Sequence, residues 1–432
     1  MRHESCAGKT CRREMNNVAN SRYTLHTLDN GLRVVIERMP DVRSAAAGFL
    51  VRTGARDEVA EFAGVSHFLE HMMFKGTSKR TWRDITIDFD QMGSTYNAFT
   101  SEDRTVYYGW VRKADIGRQI ELLADMLRST LPDDEFETEK KVVLEEIAMS
   151  KDSLEHVTFD FLQEKVFVDH PLSWPILGYE KTVAPLTRDR LWEYFERRYT
   201  PDNVMLIVAG NVDPAKIIAL AEEYCGSWKS SAAGHERSAP TFRGGTSVLQ
   251  VDRFKQQVIA LVFPSISARD ERAETAEAAA TILGGDNSRV FWNVVQKGLA
   301  TQAGAHQMEF TDFGVMTIYG VCKPENAEQL LDALRTEAND ICTERIREHE
   351  VERVKNKRRT SLAVECEAPY YRLTQLMDDM EYHGAPRTVE QMLAEVDAIS
   401  VDTIYSYFQD YPVNVNGHLV SVGQRRWPEA DK

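Results

Sequence analysis

AGVSHFLEHMMFKGT, residues 63–77, places His67 and His71 four positions apart with Glu70 against the second. The run follows Gly64 and reads as a helix, on which positions i and i+4 share a face about 6 Å apart. Two imidazoles so arranged can reach one divalent ion. Glu70, at i+3, lies on that face too, near enough to touch a water on the ion but awkward as a further ligand beside His71. The order H-x-x-E-H is an inverted zincin motif. A catalytic zinc also needs a third protein ligand and an open position for water. Zinc lowers the pKa of that water, and a neighbouring carboxylate takes its proton during attack on a carbonyl.

The third ligand is expected from a second helix. ETEKKVVLEEIAMSKD, residues 137–152, sets Glu139, Val142, Val143 and Glu146 on one face at i, i+3, i+4 and i+7. Carboxylates on a face expected to be buried need a partner, because an unpaired buried charge is costly. A zinc ion would supply it. Glu145 points about 100° away from them. The competing reading is an ordinary charged helix in which Lys140 and Lys141 neutralise the acids.

Composition sets the frame around this motif. The 432 residues suit two domains of about 200 each. Hydrophobic and charged fractions of 43% and 28% belong to a globular protein. No stretch of about 18 apolar residues offers a membrane span. Residues 1–22 lack the apolar core of a secretory signal and read as a disordered tail, with Met15 an alternative start and a cytoplasmic location expected. A net charge of −15 argues against nucleic acid as a main partner, since a phosphate-binding face needs clustered Lys and Arg. The six scattered cysteines read as reduced thiols.

Along the chain, YTLHTL, the turn Asp29-Asn30-Gly31 and LRVVIERM predict a hairpin. SAAAGFLVRTG reads as the next strand, DITIDFDQMG as a helix, and STYNAFTSEDRTVYYGWV as two extended segments. Helical periodicity covers about 113–129 and 134–152. NVMLIVAGNVDP is a buried strand, followed by the amphipathic helix AKIIALAEEYCGSW. SSAAGHERSAPTFRGGT, residues 230–246, is small, polar and rich in turn formers, so it reads as a linker.

After the linker the pattern begins again. GFLVRTGARDE compares with ALVFPSISARDE, the shared Ala-Arg-Asp-Glu falling at 55–58 and 268–271, an offset of 213 residues. The same offset carries His67, Glu70 and His71 to Ala280, Leu283 and Gly284, and valine-rich strands near each end match as well. An internal duplication is expected in which one copy has lost the polar chemistry. Its boundaries would be a tail at 1–22, a zinc-bearing lobe at 23–230, a linker at 231–245 and an inactive copy at 246–432.

These residues resemble the pitrilysin/insulinase family of zinc peptidases, in the short two-lobed branch that includes the mitochondrial processing peptidase and bacterial peptidasome-type enzymes. AGVSHFLEHMMFKGT is similar to the family's stretch almost throughout, and His71 to Glu146 is the family's spacing of 75 positions. YNAFTSEDRTVYY, HPLSWPILG and YTPDNVMLIVAGNVDP match in order, while ILGGDNSRVFWNVVQKGLA resembles a second-lobe segment. The resemblance implies an α+β fold of two homologous lobes, each an antiparallel β-sheet packed with α-helices. It implies one Zn2+ held by His67, His71 and Glu146, Glu70 as general base, and Glu139 as an outer-shell carboxylate supporting catalysis. Asn97, Ala98, Phe99 and Thr100 would form the edge on which an extended peptide substrate adds as a strand.

There is one departure. Active relatives carry an Arg seven residues before a Tyr in the second lobe, where this chain has Val294 or Val295 and Thr301. Losing both donors would weaken oxyanion stabilisation by a few kcal/mol. The resemblance therefore implies a zinc metalloendopeptidase of unfolded peptides, working as a homodimer or as the metal-bearing half of a heterodimer. The alternatives are a noncatalytic or partner-dependent zinc subunit, or a zinc hydrolase of some other substrate.

Overall fold

A computed structural model describes residues 22–229, 237–343 and 346–428. Most of the expected tail and the first part of the expected linker lie outside these residues, as do Cys6 and Cys11.

The first sheet is built from β1 (Tyr23–Thr27), β2 (Arg33–Arg38), β3 (Ser44–Val51), β4 (Thr95–Thr100), β5 (Thr105–Arg112) and β6 (Val204–Gly210). Their spatial order is β1-β2-β6-β3-β5-β4, which leaves β4 at one edge. The Asn-Gly turn closes the β1–β2 hairpin as expected. Helices α1 (Val65–Met72), α2 (Trp82–Met92), α3 (Ile116–Met126), α4 (Asp133–Ser150), α5 (Leu154–Val166), α6 (Glu180–Val183), α7 (Arg188–Arg198) and α8 (Pro214–Cys225) belong to this half of the chain. The second sheet comprises β7 (Gly245–Gln250), β8 (Gln257–Ser265), β9 (Gln302–Glu309), β10 (Gly314–Cys322) and β11 (His418–Gly423), in the order β7-β11-β8-β10-β9. With it go α9 (Ala273–Gly284), α10 (Ala327–Thr343), α11 (Glu348–Glu365), α12 (Pro369–Asp378), α13 (Val389–Ala398) and α14 (Val401–Asp410).

Apart from β1, the second order repeats the first strand for strand. Both sheets are antiparallel except for one pair, β2 with β6 and β7 with β11, which run parallel. The parallel pair exists because the last strand of each lobe returns after a long helical crossover. An α+β fold of two like lobes is thus observed, each sheet being mixed rather than wholly antiparallel.

Each sheet has one apolar face covered by helices of its own half. The other face is covered by the opposite half. Leu162 and Val166 of α5, with Phe167 and Leu172, pack on Ala260, Val262, Val420 and Val422 of the second sheet. Reciprocally, Leu373, Leu376 and Met377 of α12 pack on Ala46, Leu50, Met205 and Ile207 of the first. α5 and α12 begin 215 residues apart, at 154 and 369, so the duplicated units exchange equivalent helices. Ion pairs reinforce the junction: Arg56, held by Asp103 at 3.0 Å within its own half, meets Asp312 across the junction at 2.9 Å, and Arg104 meets Glu381 at 2.9 Å.

Candidate metal centre

The motif lies on α1. Gly64 precedes the helix at a positive φ of 96°, and the Leu177 carbonyl would sit 2.6 Å from any Cβ there, so glycine alone suits the entry. The buried carboxylate of Glu58 accepts hydrogen bonds from the backbone N–H groups of Gly64 and Ser66, both at 2.7 Å, satisfying donors at the helix start. Phe68, Leu69 and Met72 bury the opposite face in the first core. Their anchoring fixes which way His67 and His71 point.

Those two rings lie 4.6 Å apart, centroid to centroid. From α4, Glu146 Oε2 comes to 3.8 Å from His67 Nε2 and 3.5 Å from His71 Nε2. One ligand atom from each of the three residues falls within 4.8 Å of the others. Ligands about 2.1 Å from a tetrahedral zinc are about 3.4 Å from one another, so this donor set fits such an ion with little adjustment. His67 Nδ1 is buried and has no hydrogen-bond partner among the described residues. Burial, aided by the neighbouring His71, pushes the His67 pKa down to about 3, which keeps that ring neutral and able to ligate.

Glu139, two turns earlier on the same face of α4, reaches the far side of His71, with Oε1 2.8 Å from His71 Nδ1. Its other oxygen meets Lys75 Nζ at 2.5 Å. Burial raises the Glu139 pKa, but His71 and Lys75 outweigh it and hold the carboxyl below its ordinary value. For His71 burial lowers the pKa, and the bond to Glu139 with the charges of Glu146 and Glu139 reverses this. A carboxylate on Nδ1 directs Nε2 toward the Glu146 side, the arrangement common behind ligating histidines.

Glu70 turns toward the sheet edge. Its Oε2 accepts the Thr100 hydroxyl at 2.6 Å, and burial raises its pKa despite that bond. Thr100 ends β4, the strand whose outer edge has no neighbour in the sheet among the described residues.

A profile described as insulinase (peptidase family M16) matches residues 33–180, and one described as peptidase M16 inactive domain matches 185–358. A Bacillus subtilis protein named as an uncharacterized zinc protease is 32% identical over 382 residues, covering 88% of this chain and 93% of its own. The chain belongs to the insulinase (M16) family of peptidases. A similarly named Rickettsia felis protein is 33% identical over 388 residues, again 88% of this chain and 93% of its own. Among solved structures, a protease from Helicobacter pylori superposes on this M16 chain with a TM-score of 0.88 at 22% identity, over 93% of this chain and 99% of the other. A chain of complex III2 from Candida albicans gives 0.79 at 17% identity, over 93% and 96%.

His67, His71 and Glu146 thus converge with Glu139 behind them, Glu70 meets Thr100, and Asn97 to Thr100 occupy an edge strand. Val142 differs from expectation. It is 38% exposed rather than part of the buried face, because only a narrow stripe of α4, through Phe136, Glu139, Val143 and Ile147, meets the core. Glu145 is exposed as well, and Lys140 pairs with Glu137 rather than with either site carboxylate. The sequence reading missed Lys75 and Glu58. Lys75 stands four residues beyond His71, a spacing that could have flagged it. Glu58, in a loop ahead of the helix, had no local signal.

Proposed function

We propose that this M16 chain is a zinc endopeptidase for extended peptides, with residues 23–230 carrying the metal, 246–432 a noncatalytic copy and 231–245 joining them. The observation that carries the reading is the convergence of His67, His71 and Glu146 from two helices beside an open strand edge. When bound there, zinc supplies a Lewis acid that polarises a carbonyl and acidifies water. The chain's own groups do the rest. A peptide pairs its backbone with the free edge of β4 and is thereby held straight across the Glu70 carboxylate. Glu70 takes the proton of the attacking water and returns it to the departing amine, its raised pKa bringing it closer to working pH. Thr100 keeps that carboxylate oriented, and Glu139 with Lys75 keeps His71 in register.

A specific observation favours a partner-dependent form. Val294 is fully buried in the second core, and Thr301 donates its hydroxyl to the Val321 carbonyl at 3.0 Å, so neither offers a donor to substrate. A second chain bearing Arg and Tyr there would complete the site in a heterodimer. Hydrolysis of a random peptide library, by this chain alone and mixed with such a related chain, tests both forms. Glu70→Gln should remove turnover, by about 10²–10⁴-fold, while bound zinc stays near one per chain. Retained turnover in that variant defeats the mechanism.

A further inference from the structure

The side of β4 that faces away from the metal is paved with aromatic rings. Strand alternation sends Tyr96, Ala98 and Thr100 toward α1, and Thr95, Asn97 and Phe99 toward α12. On the α12 side, Phe99 stands edge-on to Tyr108 of β5 with centroids 6.3 Å apart. Tyr370, in the first turn of α12, stacks on Tyr108 at 5.5 Å and lies 4.5 Å from Trp110. Tyr371 continues the surface at 5.3 Å and is 48% exposed. Phe99 is held from behind by the Arg104 guanidinium, itself fixed by Asp378 and Glu381. Phe99 and Tyr371 are exposed and Tyr108, Trp110 and Tyr370 half-buried, and rings braced in this way form a preorganised contact surface. The equivalent edge of the second lobe, β9, reads QAGAHQME over Gln302–Glu309, with Gln307 at the register position of Phe99 and no aromatic residue other than His306.

A strand added to β4 points every second side chain to this side and the others toward the metal. We propose that Phe99, Tyr108, Trp110, Tyr370 and Tyr371 form a side-chain subsite that selects large apolar residues at alternate positions of the peptide on β4; this rests on the strand-addition reading above. The occupant is the peptide itself, because the shelf is continuous with the unpaired edge and adjoins the Thr100–Glu70 contact.

The test uses the full-length, zinc-loaded Glu70→Gln chain and fluorescein-labelled ten-residue serine-threonine peptides, with or without one central Phe. The Phe peptide should bind about tenfold more tightly, a typical return for burying one ring. Under Phe99→Ala or Tyr371→Ala that margin should fall below about threefold, the Phe peptide losing clearly more than the peptide lacking Phe. Tyr371 is exposed, so its variant keeps the test open if Phe99→Ala folds poorly. With benzoylphenylalanine at the central position, cross-links should map to residues 95–110 and 369–371. A margin unchanged in both variants, equal weakening of both peptides, or cross-links elsewhere overturns the subsite and leaves strand addition standing. A Phe99→Ala chain that loses self-association in sedimentation but keeps the margin makes the shelf an interface between copies, and also overturns it. No binding of any peptide overturns strand addition and the subsite together.

Discussion

The corner where α1 meets β4 and the corner where α9 meets β9 are the same piece of architecture put to opposite uses. In the first, His67 and His71 of α1 are met by Glu146 from α4 at 3.8 and 3.5 Å. In the second, Ala280 and Leu283 are buried, and Gly284 lies so close to β9 that an added Cβ would come within 1.8 Å of the Ala305 nitrogen. α11 begins 215 residues after α4, which puts Val354 and Ser361 where α4 has Glu139 and Glu146, and Val354 is core. One duplicate keeps partly exposed polar groups at this corner and bears the electrostatic cost of holding them; the other closes the corner with apolar contact.

The contrast can be broken from either side. His71→Ala should weaken zinc binding more than about a hundredfold, beyond the loss expected for an outer-shell partner, while changing stability of the metal-free chain by only about 1 kcal/mol. Isothermal titration and urea unfolding read the two quantities. Gly284→Ala should do the reverse, costing about 3 kcal/mol through a backbone clash and leaving zinc affinity unchanged. A Gly284→Ala chain as stable as the parent would show that the second corner is not closed.

Glu139→Gln sharpens the picture within the first corner. Lacking the full charge opposite His71 and Lys75, it should lower zinc affinity by about 10–100-fold, with the effect measured by competition against a chelator. The smallest expected effect lies on β9. Burial, added to by the nearby Glu277 and Glu274, pushes the Glu309 pKa up to about 7. A folded-state value above the ordinary 4.5 means that folding is favoured at low pH and loses that advantage as pH rises from about 4.5 through 7. Glu309→Gln should therefore gain on the order of 1 kcal/mol at pH 8 and nothing at pH 4, read by urea unfolding at both.

What the sequence disclosed and what it hid follow one physical divide. The Asn30-Gly31 hairpin, the buried strand around Met205 to Val208 and the histidine pair were legible because each depends on spacing within a few residues. The 213-residue offset located β8 against β3 almost to the residue. By contrast, the parallel neighbours β2–β6 and β7–β11 and the exchange of α5 and α12 join segments far apart in the chain, and no local periodicity encodes them. Val142 was misread for a related reason. A helical wheel assigns a broad apolar face, whereas the width actually covered depends on the neighbours, and here only a strip through Phe136, Glu139, Val143 and Ile147 is buried.

The reciprocal helices have a consequence for how such a chain could be taken apart. Cutting the connection between the halves would not release two particles, since each would still be clasped by an arm of the other and stripped of its own outer layer on separation. Relative swinging of the halves must bend or slide those arms. A split gene for this protein would have to deliver both pieces together, each covering a sheet face of the other.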